Sequence, residues 1–248
     1  MLVALAFLLQ LASLPAPSLV LALEGETHHV QGILVDGGGL WVTAVDRERR
    51  EAILFQFEIA TGRRMNRILL AREPYFHPGG LDGDGESLWI PLAEYRPTGR
   101  SVIERRSKKD LSVLQRFEAP DHIGCVALLG GRLYGANWDA KDIYEWSIRG
   151  EFIRKRPNPT GYRFQDLKGR AGRLVGAGMA PKGSDAHAIV WLDPAQLAVW
   201  RTLPAGATSR GVPFVNEGLD VTHSHLYLLP EDTPSRLFVW ELGRLTGF

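Results

Sequence analysis

The stretch FHPGGLDGDGESLWIPLAEY, residues 76–95, contains a polar cluster, paired glycines, an Asp-Gly turn and an apolar strand that opens Leu-Trp and closes on an acid. The same outline recurs along the chain. Leu40-Trp41, Leu88-Trp89, Leu133-Tyr134, Leu174-Val175 and Leu226-Tyr227 occupy equivalent positions. Their separation of roughly 40–50 residues is the period of a four-stranded blade. The expected fold is therefore all-β: a β-propeller with five blades of four antiparallel strands each.

Alternation and turn chemistry, rather than a helical period, place the strands within a copy. The third copy reads most plainly, with strands over 123–129, 133–138, 142–148 and 152–156 and a Gly130-Gly131 turn between the first two. Asp36-Gly37-Gly38-Gly39 and Asp82-Gly83-Asp84-Gly85 are expected to form the same turn in the first two copies, with glycine supplying positive φ. Asp84-Gly85-Glu86 also echoes a calcium loop, but the spacing of an EF-hand is absent. The fifth copy ends after its third strand, over 236–242. Residues 19–23 are expected to supply the missing outermost strand and so close the ring, removing the exposed edges of an open sheet.

Among 248 residues, 45% are hydrophobic and 23% charged, an ordinary globular composition. Lys and Arg number 29 against 28 Asp and Glu, so no global field points to nucleic acid or to an anionic membrane. The single cysteine, Cys125, excludes an internal disulfide and any multi-cysteine zinc site, and its apolar context reads as core filling. Residues 2–12 form an apolar run of signal-peptide length, followed by Pro15 and Pro17, with no Lys or Arg before it. The expected organisation is a signal peptide over 1–18, cleaved after 18 or 22, and one domain over 19–248. The protein is then secreted or periplasmic, and a monomer without further membrane contact.

In an antiparallel meander the start of the innermost strand and the end of the second lie on one rim. The first set holds His29, Gln31, His77, Asp121, His122, Gln165, Asp166, Asn216 and Glu217; the second holds Asp46, Glu94, Asn137, Asp139, Glu231 and Asp232. Histidine occupies the same repeat position in three copies. Of these, His29, Gln31, His77, Glu94, His122, Asn137, Asp139, Gln165, Asp166, Glu217 and Glu231 are the expected ligand-binding residues. Such a ring offers three chemistries: imidazoles coordinating a metal, a histidine and a carboxylate as acid and base, or hydrogen bonding to a polar solute with Tyr95, Trp138 and Tyr162 as stacking faces. The bland alternative is a set of polar groups solvating the mouth of a water-filled channel. Neither a cofactor nor a catalytic residue is named by the sequence.

The remaining candidates are weaker. His28 is expected to face solvent, His223 and His225 to flank a turn on the opposite rim, and His187 to lack a partner. Trp41, Trp89, Trp146, Trp191 and Trp240 lie in strands and are expected to pack blade on blade. No G-x-S-x-G elbow and no phosphate-cradling glycine motif occurs.

His77-Pro78-Gly79-Gly80, Trp89-Ile90-Pro91-Leu92-Ala93-Glu94-Tyr95-Arg96-Pro97, Asp121-His122-Ile123-Gly124, Asn137-Trp138, Tyr144-Glu145-Trp146 and Pro230-Glu231-Asp232 resemble an uncharacterised family of secreted, propeller-like proteins known only as a domain of unknown function. That resemblance implies the fold and export and brings no ligand residues. Val30-Gln31-Gly32 followed by Asp36-Gly37 is similar to the five-bladed glutaminyl-peptide cyclotransferases. The chain departs from their pattern at Thr43-Ala44-Val45, where an acid is expected, and at Gly79-Gly80. Glu94 and Glu217 are the carboxylates left for acid-base work.

The expectation is thus an exported propeller binding a small polar molecule at one mouth. The alternatives are a cyclotransferase, lyase or hydrolase using the same mouth, or a platform for protein partners.

Overall fold

The computed structural model describes residues 13–181, 184 and 186–245. Most of the expected signal peptide, residues 1–12, lies outside the described residues. Among the described residues no helix is long and apolar enough to cross a membrane.

The first strand, β1 (Leu19–Ala22), precedes five consecutive meanders. Blade 1 contains β2 (His29–Asp36), β3 (Gly39–Asp46), β4 (Glu51–Glu58) and β5 (Arg64–Ala71). In blade 2 the innermost strand is split into β6 (His77–Pro78) and β7 (Asp82–Gly83), followed by β8 (Ser87–Ala93), β9 (Ser101–Ser107) and β10 (Val113–Ala119). Blade 3 runs through β11 (Ile123–Leu129), β12 (Arg132–Asn137), β13 (Asp142–Ser147) and β14 (Phe152–Pro157). Blade 4 is β15 (Arg163–Arg170), β16 (Arg173–Met179), β17 (Ala188–Leu192) and β18 (Val199–Pro204). Blade 5 has β19 (Gly218–Val221), β20 (His225–Leu229) and β21 (Arg236–Glu241), with β1 as its outermost strand. The protein is a five-bladed β-propeller.

The ring is clasped as the sequence implies. Leu19 lies opposite Val239 and Ala22 opposite Arg236 in an antiparallel pair. The clasp extends upstream of the strand: the Ser18 amide donates to Val239 at 2.8 Å, Glu241 donates to the Ser18 hydroxyl at 3.0 Å, and the Trp240 indole donates to the Pro15 carbonyl at 2.8 Å.

Alternation along each strand sends one face toward each neighbouring blade, and the apolar side chains gather into five clusters, each filling one interface between blades. Trp89 and Trp146 meet between blades 2 and 3, Trp191 and Trp240 between blades 4 and 5, and Trp41 packs between blades 1 and 2. Cys125 is fully buried between blades 3 and 4, and burial pushes its thiol up to about 12, so it is core filling.

The turns obey local chemistry. Gly37 and Gly38, like Gly130 and Gly131, have positive φ, as expected. The second copy differs: Gly85 does not, because the Asp84 side chain closes that turn itself, accepting from the amides of Glu86 and Ser87 at 2.9 and 2.7 Å. Asp82, expected in that turn, instead lies in β7 and faces the axis.

The central channel is plugged rather than water-filled. Innermost strands have one edge without a neighbour, so their inward amides need acceptors. Asp166 accepts from Ile33, Leu167 and Leu219 at 3.0, 2.9 and 3.0 Å and pairs with Lys168, whose ammonium also reaches the carbonyls of Leu81 and Leu167. Below this layer Asp82 accepts from Leu128 and Gly169, Asp220 accepts from Val35, and Arg170 bridges the two carboxylates at 2.8 and 2.7 Å. Gly80 crowds the Asp166 carboxyl so closely that a methyl there would collide with it, and a methyl at Gly32 would collide with the Gly80 Cα beside it.

Replacing Asp166 by Asn keeps the shape but leaves the Lys168 ammonium buried without a counter-charge, so the variant is expected to lose about 3–5 kcal/mol in urea unfolding. An unchanged midpoint would mean that the axial pair does not hold the blades together.

Candidate functional site

One rim carries a cup of about 200 Å³ whose wall includes His29, Gln31, His77, Tyr95, His122, Asn137, Trp138, Asp139, Arg163, Gln165 and Glu217. The Asp166 layer closes the axis beneath it. Blade geometry explains the convergence: His77 pairs with Ala93 and His29 with Val45 at the end of the second strand, while His122 directly precedes the Ile123–Asn137 pair. The innermost strands of blades 1 to 4 are then irregular at the next step, by a bulge at Gln31, at Gly124 and across Gln165 and Asp166, or by the break over 79–81. The irregularity bends the strand from the rim toward the axis.

The cup has two chemically distinct sides. On one, four rings form a wall: His77 stacks on Tyr95 at 4.3 Å, His77 and His122 are 4.9 Å apart, and Trp138 stands edge-on to His122 at 4.6 Å. Trp138 enters a short 3-10 turn whose Asp139 and Ala140 adopt left-handed φ of 59° and 50°. His122 donates through Nδ1 to the carbonyls of Glu94 and Arg96 at 2.8 and 3.1 Å, which fixes its tautomer and leaves Nε2 as an acceptor. His77 Nδ1 is buried without a hydrogen-bond partner.

The opposite side is acidic. His29 Nδ1 lies 2.8 Å from Glu231 Oε1, and the Glu217 carboxyl sits beside this pair, its donor atoms within 4.8 Å of both. Glu217 is 4% exposed and makes no hydrogen bond or ion pair among the described residues. Burial, reinforced by the neighbouring Glu231, pushes Glu217 well above the usual carboxylate range, whereas the hydrogen bond from His29 lowers Glu231.

Of the residues expected to converge, His29, Gln31, His77, His122, Asn137, Asp139, Gln165 and Glu217 line the cup, and Glu231 reaches it through His29. Two do not. Glu94 turns outward to pair with Arg96, and Asp166 lies in the axial plug because the two-residue bulge re-aims it away from Gln165. The three imidazoles do not form a metal triad, since His29 faces Glu231 while His77 and His122 join the ring wall. Tyr162 packs against the core between blades 3 and 4 instead of stacking in the cup. His28 is not solvent-facing; its ring lies over Phe55 and 3.8 Å from Asp46. His187 does have a partner, accepting from the Ala180 amide at 2.9 Å.

Sequence reasoning missed Arg163, which opens β15 on the cup wall, and Arg47, whose Nε donates to the Tyr95 hydroxyl at 3.1 Å. Arg47 directly follows Asp46 at the end of a second strand, so its rim position was available from the repeat.

Residues 43–159 match a family of unknown function (DUF6454). The matched stretch contains His77, His122 and Asn137, and leaves His29, Glu217 and Glu231 outside it. No curated protein matches the chain. Among solved structures, the glutaminyl cyclase of Myxococcus xanthus is similar at a TM-score of 0.69 and 14% identity, over 90% of this chain and 94% of that one. A luciferin-regenerating enzyme is similar at 0.55 and 12% identity, over 88% and 80% of the two chains. A protein of unknown function from Bacteroides caccae reaches 0.50 and 15% identity, over 82% and 71%. At these identities the likeness is one of fold alone.

Burial lowers the His77 imidazole well below its ordinary value, with His122 adding to the effect, and burial also lowers His122 against the pull of its two carbonyls. The unfolded chain therefore takes up protons below about pH 6.5 that the native state refuses, and stability falls as pH falls. Between pH 7.5 and 5.5 His77 contributes a loss of up to about 1.4 kcal/mol. Urea unfolding at the two pH values should show a smaller difference for His77→Gln than for the wild type; equal differences would refute the assignment.

Proposed function

We propose that this protein is an exported propeller that binds a small polar molecule in the cup between the ring wall and the acidic side. One observation carries the reading: His77 Nδ1 lines the cup, buried and without a hydrogen-bond partner, while Glu217 on the other side, a residue 4% exposed, has no hydrogen-bond partner among the described residues. Buried polar groups are almost always satisfied, and an unmade hydrogen bond costs about 1–3 kcal/mol, so a ligand carrying its own donors and acceptors is the economical occupant. The cup is smaller than the ~300–1,000 Å³ of drug-sized pockets, which suits a metabolite-sized molecule. Tyr95 and Trp138 favour one with a flat or apolar edge. Export is supported by the apolar run over residues 2–12 and the prolines after it.

Catalysis in the same cup is the second reading. It is favoured by a hydrogen-bonded His29–Glu231 couple facing an unpartnered carboxyl, an arrangement that offers an acid and a base side by side. The fold shared with a glutaminyl cyclase makes a glutaminyl substrate a first compound to assay for turnover.

A thermal-shift panel of amino acids, amides, amines, sugars and nucleotides tests the binding reading. At a hundredfold excess over Kd a ligand specific to the native state adds about 2.7 kcal/mol, roughly 5–10 °C for a domain of this size. The double variant His77→Ala, His122→Ala should stay folded and lose the shift. Melting points unmoved by every compound would leave the cup a solvated depression.

A further inference from the structure

We infer that His29, Glu217 and Glu231 bind one divalent transition-metal ion at the edge of the cup, an inference that rests on the cup being a binding site. The three side chains come from the start of β2, the approach to β19 and the loop after β20, so they converge from blades 1 and 5 across one interface. Their donor atoms all lie within 4.8 Å of one another, and His29 Nδ1 is 2.8 Å from Glu231 Oε1. Metal–nitrogen and metal–oxygen bonds near ~2.0–2.2 Å would bring such atoms onto one ion with small side-chain rotations.

The second observation is Glu217 itself. The residue is 4% exposed, its carboxyl belongs to this cluster, and it has no donor among the described residues. Two carboxyl groups share the cluster while the only side-chain hydrogen bond made there among the described residues joins His29 to Glu231. A cation supplies the missing partner and removes the repulsion between the acids.

The donor set chooses the class of ion. One imidazole and two carboxylates suit zinc, manganese or ferrous iron, whereas calcium and magnesium prefer all-oxygen sets. Three protein ligands leave at least one coordination position open, as in catalytic rather than structural sites. That position adjoins the cup, where a carbonyl or carboxylate oxygen of the small molecule would fill it while the rest of the molecule rests against Tyr95 and Trp138.

The test uses the full chain after chelator dialysis, titrated calorimetrically with zinc or manganese alone, with bound metal counted by elemental analysis. One ion per chain is expected, with affinity at least tenfold weaker in Glu217→Gln and in the more exposed Glu231→Gln, each checked for an intact fold by circular dichroism. No binding of either metal, or equal affinity in both folded variants, overturns the site. The two readings fail separately. Stabilisation by an organic compound in the chelated protein, with no metal uptake, refutes the ion and keeps the cup. Metal uptake lost in Glu217→Gln, with no organic compound shifting the melting point of the metal-loaded protein, supports the ion and refutes small-molecule binding.

Discussion

The propeller depends on how its axis is satisfied. Five innermost strands each turn an unpaired edge toward the same narrow space, and amides in that space cannot be left without acceptors. Asp166 joins blade 4 to blades 1 and 5, Asp82 joins blade 2 to blades 3 and 4, and Asp220 joins blade 5 to blade 1. Lys168 pairs with Asp166 and Arg170 bridges Asp82 and Asp220, and these ammonium- and guanidinium-centred layers fill the channel. Burial pulls Asp166 toward its neutral form, while the Lys168 ammonium and the converging amides pull the other way. Removing Asp166 or Lys168 would strand the other in the driest part of the molecule.

Because the axis is filled, the rim becomes a cup with a floor, and polar side chains there are not bathed by a through-channel. Burial of His77 and Glu217 follows from this, as do their displaced proton affinities. Packing between blades and the axial ion pairs together hold the ring, and the rim residues left over from both tasks line the cup.

Much of this was legible in the chain. The Leu-Trp steps and Gly-rich turns fixed the blades, and residues 19–23 declared themselves as a strand without a neighbour. Rim convergence also followed from topology alone, since His29, His77 and His122 share one repeat position. Bulges were not legible. Gln165 and Asp166 are adjacent and equally polar, yet one lines the cup and the other seals the axis, because an irregular step in β15 changes which face each presents. Glu94 was misplaced for a different reason: Arg96, two residues on, captures it at the surface. Arg47 and Arg163 were overlooked because a charged residue beside a strand end usually belongs to solvent.

The clasp between β1 and β21 sets the order of assembly. The earliest-made strand of the sheet framework has no partner until the final one has left the ribosome, so four blades can mature while the fifth waits with a bare edge. Until that late closure the seam between the first and last blades does not exist, and the acidic side of the cup, drawn from both, is the last part of the molecule to take shape.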